Sequence, residues 1–186
     1  MRKNQPNRPL HPMNDDPSGK SLLTELQSRL RTVVTANYAD LKRQFDDICG
    51  YAICAPPYFE QIFPAYQLSS ALRDCPSDSL GLNAYFPPEW ESFGTLSFGD
   101  EFDALTSQIH KRRCAHDGLE ADAVFDAILD VLIDLERQGV FGPRSRDRFI
   151  TMWNVGDDES LIIAASEKLN SAEVHSTVLK TFGRNS

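Results

Sequence analysis

Apolar residues recur at helical spacing along the first structured stretch of this chain. Leu22, Leu23, Leu26, Leu30, Val33, Val34, Tyr38, Leu41, Phe45 and Ile48 share one face of a 3.6-residue period, which predicts a long helix over 21–48. Ser21 is placed to cap its start and Gly50 to stop it. The period then changes. Tyr51-Ala52-Ile53-Cys54-Ala55 is a short apolar run closed by Pro56-Pro57, and it predicts a buried strand. Gln61 to Gln67 predicts a second strand, paired with the first as a hairpin. Pro64 within it lacks an amide donor, so this strand belongs at a sheet edge or a bulge.

Further along, 68–76 predicts a short helix and Leu82 to Phe86 another strand. Pro87-Pro88-Glu89-Trp90-Glu91 has the proline and acids of a helix start. A helix over 98–116 ends in the basic cluster Lys111-Arg112-Arg113. Arg148 to Val155 alternates in part and is the clearest later strand, followed by helices over 161–169 and 172–182. Two hairpin strands, a later strand and several helices predict an α+β fold, a small and mainly antiparallel sheet packed against helices in one domain over 20–186. Residues 1–19 set Pro6, Pro9, Pro12 and Pro17 among Asn, Asp and Arg, and predict a disordered leader.

The most distinctive pattern lies in 120–138. Val124, Phe125, Ile128, Leu129, Val131, Leu132 and Leu135 form an apolar helix face, and Gly139 stops the helix. Asp122, Asp126, Asp130 and Asp134 recur every fourth residue behind that face. Like charges at this spacing repel by roughly 0.2–0.5 kcal/mol per pair. Each step turns about 40° around the helix, so the four carboxylates sweep about 120° and do not converge on a point. That geometry disfavours a metal site or an acid/base pair. It suits a solvated helix back or a broad electrostatic contact face.

Charge sharpens the choice of partner. Nineteen basic and 27 acidic side chains give a net charge of −8. Residues 1–20 carry +2, which leaves −10 for the rest. Such a body repels nucleic acid and anionic membranes and suits a basic protein. No apolar run approaches the roughly 18 residues of a membrane helix, and the proline-rich start is unlike an export signal. The expected compartment is the cytoplasm, where Cys49, Cys54, Cys75 and Cys114 are expected as reduced, buried thiols.

Candidate chemistry is sparse. Gly19-Lys20-Ser21 resembles the end of a phosphate-binding loop, but Asn14 stands where the loop needs its first glycine, and no apolar strand precedes it. His110, Cys114 and His116 lack tight metal-ligand spacing, and decoration of a helix end is their simpler use. Asp157-Asp158-Glu159 lacks the alternating ligands of a calcium loop and fits a helix start or a partner contact. Tyr58, Phe59, Phe63, Tyr66, Tyr85, Phe86, Trp90 and Phe93 crowd one region, either as core or as loop anchors for a partner. No cofactor, metal or catalytic residue is expected.

The order of several short motifs carries a resemblance over about 21–182. A helix runs into Leu135-Glu136-Arg137-Gln138-Gly139-Val140-Phe141-Gly142, then come a strand with Trp153, the turn Gly156-Asp157-Asp158, and a helix ending Lys168-Leu169-Asn170. Upstream, Gly50-Tyr51-Ala52-Ile53 runs into Phe63-Pro64-Ala65. Together these resemble the bacterial family called domain of unknown function 4303 (DUF4303). Cys54-Ala55-Pro56-Pro57-Tyr58 departs from the more polar turn expected there. The family has no established catalytic residues to carry over, and its resemblance to proteins found beside polymorphic toxins implies an immunity role.

The expected function is therefore a non-enzymatic immunity protein that binds and neutralises a cognate, basic toxin domain. Asp122, Asp126, Asp130, Asp157, Asp158 and Glu159 are the expected partner-binding residues. The alternatives are a small-molecule binder or enzyme with a pocket near Tyr58 to Trp90, and a homodimeric regulatory scaffold.

Overall fold

The computed structural model describes residues 17–183, except 57–58, 60, 74, 78, 94–99, 115–119 and 157–158; for 17–21, 100 and 113–114 it describes the backbone alone. The first helix, α1 (Pro17–Gln44), starts earlier and ends earlier than its periodicity predicts. Pro17 stands at its first position, where a missing amide costs nothing. Ser21 therefore lies inside the helix and does not cap it; residues 17–19 of the expected leader are helical, and 1–16 lie outside the described residues.

Gly50 does not stop α1 either. It lies within β1 (Ile48–Ala55), the central strand. A Cβ on Gly50 would sit 2.9 Å from Gln67 Cβ and 3.0 Å from the Trp90 ring. The glycine is there because a neighbouring strand and an indole pass too close for any side chain. Gly50→Ala is expected to cost about 1–3 kcal/mol in urea unfolding, the usual range for overpacking. An unchanged midpoint would mean that Trp90 gives way freely.

β1 pairs antiparallel with β2 (Phe63–Leu68) as the predicted hairpin, with Ile53 opposite Pro64. β2 is an edge strand, as its proline requires. On its other side β1 pairs in parallel with β3 (Phe149–Asn154), Tyr51 lying opposite Ile150. The long connection of helices between β2 and β3 makes a parallel return possible. The result is a small mixed sheet packed against helices, an α+β domain as expected.

Helices cover both faces. Tyr51, Ile53, Ile150 and Met152 point towards α1, α4 (Asp100–Cys114) and α5 (Ala121–Arg137). Ala52, Cys54, Phe149 and Trp153 point the other way, towards α7 (Ala172–Phe182), with α6 (Ser160–Leu169) lying along β3. A strand buried on both sides has no polar face to alternate, which is why Tyr51 to Ala55 reads as a continuous apolar run.

Leu82 to Phe86 is not a strand. After the short α2 (Ser69–Leu72), α3 (Leu80–Tyr85) is helical and leads into a single 3-10 turn at Pro87–Glu89. Gly81 brings α3 close to α7, where its missing Cβ would lie 3.1 Å from Thr181 Oγ1. The crowded aromatics are core: Phe59, Phe63 and Trp90 are buried, and Tyr66, Tyr85, Phe86 and Phe93 pack against them. Tyr58 lies outside the described residues. Phe59 has a left-handed φ of 56°, a costly conformation for a bulky residue, and its fully buried ring lies 4.8 Å from that of Phe125.

Candidate functional site

The acidic ridge follows from how α5 packs. Val124, Phe125, Ile128, Val131, Leu132 and Leu135 are buried against α1 and the sheet. The residues between them are forced outwards. Asp122, Asp126 and Asp130 are exposed and form no ion pair among the described residues. Asp134 differs, because Arg31 of α1 lies 2.8 Å from one of its oxygens and Arg137 3.9 Å from the other. The exposed ridge thus spans three carboxylates, and the fourth ties α5 to α1. Glu159 is half-buried at the start of α6 and makes no side-chain cap there. Asp157 and Asp158 lie outside the described residues.

A second polar cluster was not anticipated from the sequence. Gly139 ends α5 with a φ of 77°, while the Gly139 amide donates to Glu136 and the Val140 amide to Leu135. This closure turns the chain and lays Phe141 against Tyr38 and Tyr51, with ring centroids 5.0 and 5.8 Å apart. Glu136, one turn before the stop, is left facing two arginines. Arg144 clasps it with Nε at 2.9 Å and a terminal nitrogen at 2.8 Å, and Arg148 approaches at 3.3 Å. Arg148 and Glu136 are 8% and 9% exposed, so this pair is shielded from water. The guanidiniums also donate to the carbonyls of Lys168, Leu169 and Asn170, at the end of α6, and of Gly142. Those helix-end carbonyls have no partner within α6.

Asn170 completes the join. Its side-chain oxygen accepts the Ile150 amide at 2.7 Å and its nitrogen donates to the Ile150 carbonyl at 2.8 Å, so it behaves as one more strand residue beside β3. The bond to Arg144, more than any other influence, holds the Glu136 carboxyl below the usual carboxylate range. Burial pushes the Arg148 guanidinium down, and Glu136 opposes that. The cluster is an ion-paired clamp joining α5, α6 and β3, and the residues that carry the family resemblance near 136–142 and 168–170 are its parts.

Two nucleophile arrangements fail on geometry. Ser166 Oγ lies 2.7 Å from His175 Nδ1, as a serine–histidine pair would. The serine oxygen, however, also lies 2.8 Å from the Ile163 carbonyl, which competes with the imidazole for its one proton. Ser166 is also fully buried. Burial raises the thiols of Cys49 and Cys54, and Cys54 is fully enclosed, so neither presents a thiolate. Cys49, Cys54 and Cys75 form no disulfide; Cys54 is buried as expected, whereas Cys49 and Cys75 are only half-buried. His110 is exposed on α4, and Cys114 and His116 lie outside the described side chains. Among the described residues no three His, Cys, Asp or Glu gather at metal-binding distance, and no helix is long and apolar enough to cross a membrane. Gly19-Lys20-Ser21 is inside α1 and forms no loop.

A cleft of about 490 Å³ opens between α2, α3, α7 and the approach to β3. Its surface is mostly apolar, supplied by residues such as Leu72, Leu80, Tyr85 and Phe149. Arg73, Arg146, Arg148 and Asp147 provide its charge. Asp47 fixes α2 at one side by accepting the Ser70 amide at 2.9 Å. Part of the cleft, Arg73 included, falls in the predicted Tyr58 to Trp90 region, but Arg146 and Arg148 do not. The run Arg144-Ser145-Arg146-Asp147-Arg148, leading into a wholly buried strand, was the signal available for them.

These features define a class: an α+β domain with helices on both sheet faces, an internal arginine–glutamate clamp and a charged cleft. The chain belongs to the family described as Domain of unknown function (DUF4303), whose model matches residues 26–171. The whole clamp, from Glu136 to Asn170, falls within that span. No curated protein and no solved structure matches the chain.

Proposed function

We propose that this protein is a cytoplasmic immunity protein that binds a cognate, basic toxin domain and neutralises it by contact, without chemistry of its own. The observation that carries this reading is the ridge of Asp122, Asp126 and Asp130, exposed on a body of net charge −8. The resemblance to proteins encoded beside polymorphic toxins supports it. Glu159, with Asp157 and Asp158, adds acid to the proposed contact surface. Facing charges of opposite sign accelerate association more than they tighten the final complex.

The partner to test is the protein encoded immediately upstream. Co-purification and rescue of growth when both are expressed are the expected results. A neighbour that neither binds nor harms growth removes the toxin reading. The electrostatic part has its own test. Asp122→Lys, Asp126→Lys and Asp130→Lys together should slow association at low salt by about tenfold or more and flatten its dependence on ionic strength. Rates that stay at the wild-type value across the salt series would place the contact elsewhere.

A further inference from the structure

We infer that the cleft beside β3 is a binding site for a small amphiphilic anion, a carboxylate or phosphate carried on an apolar body. This is independent of how the acidic ridge is used. The volume of about 490 Å³ lies within the usual range for small-molecule sites, roughly 300–1,000 Å³. Tyr85, Phe149, Leu72 and Leu80 offer the apolar surface such a body needs.

The charge on this wall opposes that of the rest of the molecule. Among the described lining residues, Arg73, Arg146 and Arg148 stand against one acid, Asp147, while Asp47 and Glu173 lie near enough to interact with Arg73 and Tyr85. Arg146 and Asp147 are 73% and 79% exposed and 3.5 Å apart, a surface pair that water largely screens. Arg148 is different. It shares the one carboxylate of Glu136 with Arg144, so the clamp keeps one positive charge in excess. Its terminal nitrogens are committed to Glu136, Gly142 and Leu169, but its buried Nε has no hydrogen-bond partner among the described residues. That Nε is enclosed, so the part of Arg148 in the cleft wall acts on a ligand through its charge. The exposed Arg73 and Arg146 supply the guanidinium forks suited to a carboxylate or phosphate.

The test uses the full chain, labelled with ¹⁵N, and three probes of one shape: 2-naphthoate, 2-naphthyl phosphate and the neutral 2-naphthylmethanol. Saturable shifts at the Tyr85 and Phe149 amides are expected with at least one anion. The alcohol should bind at least tenfold more weakly than that anion. Whichever anion binds more tightly identifies the head group. In the double variant Arg73→Gln, Arg146→Gln, whose sites are exposed, the preferred anion should fall to the affinity of the alcohol. The proposal is overturned if neither anion binds at millimolar concentration, if alcohol and anion bind alike, or if the preference survives in the double variant.

Discussion

Glu136→Gln is expected to lower stability at neutral pH by about 3 kcal/mol. Losing one partner of a buried ion pair costs roughly 3–5 kcal/mol. The low end applies because Arg144 is 42% exposed and water screens that side of the clamp. The glutamine keeps the shape and one acceptor, but it leaves Arg144 and Arg148 with no counter-charge. With a slope of about 2 kcal/mol/M, the urea midpoint should fall by roughly 1.5 M. The pH dependence gives a second signature. The Glu136 carboxyl is held below the usual carboxylate range in the folded protein, chiefly by its bond to Arg144. Between its folded and unfolded values the unfolded chain binds more protons, so stability rises with pH there. The contribution of Glu136 is complete above the ordinary carboxylate value of about 4.3 and is lost as pH falls through the lowered value. The gap between wild type and Glu136→Gln should therefore close on acidification. A gap that stays constant down to pH 2 would mean that the ion pair is not what the substitution removes.

Leu132→Ala is expected to cost about 2–5 kcal/mol, the range for emptying a fully buried leucine site. Leu132 is 0% exposed in the core shared by α1, α5 and the sheet. Asp130, two residues earlier on the same helix, is exposed, and Asp130→Ala should stay within about 0.5 kcal/mol of wild type. For a chain of this size, each kcal/mol shifts the melting temperature by about 2–4 °C, so calorimetry separates the two variants readily. Similar losses at both positions would contradict the orientation of α5.

How far each feature could be read from the chain depended on its range. Periodicity located α1, α5, α6 and α7 because one helix face reports burial through residues three and four apart. Gly139 was legible as a stop because its left-handed φ of 77° is a local requirement. Gly50 was misread because its reason is not local. It stands beside Gln67 and Trp90, which are far away in sequence. Leu82 to Phe86 was misread as a strand because an apolar run that short does not distinguish strand from helix.

The same division runs through the functional surfaces. The aspartate ridge was visible because its four-residue repeat and the apolar face it backs belong to one helix. The partial neutralisation of its last member was not, since Arg31 comes from α1. The clamp and the cleft were invisible for the same reason. Glu136, Arg144, Arg148 and Asn170 are ordinary surface residue types until β3 comes to lie in parallel beside β1 and brings the end of α6 against α5. The sequence alone determined the longer helices, the edge hairpin, the acidic body and the family membership, because each rests on local pattern or on motif order. Tertiary structure alone decided which charges are exposed, which are buried together and where a cleft opens, because burial and ion pairing depend on which distant segments meet.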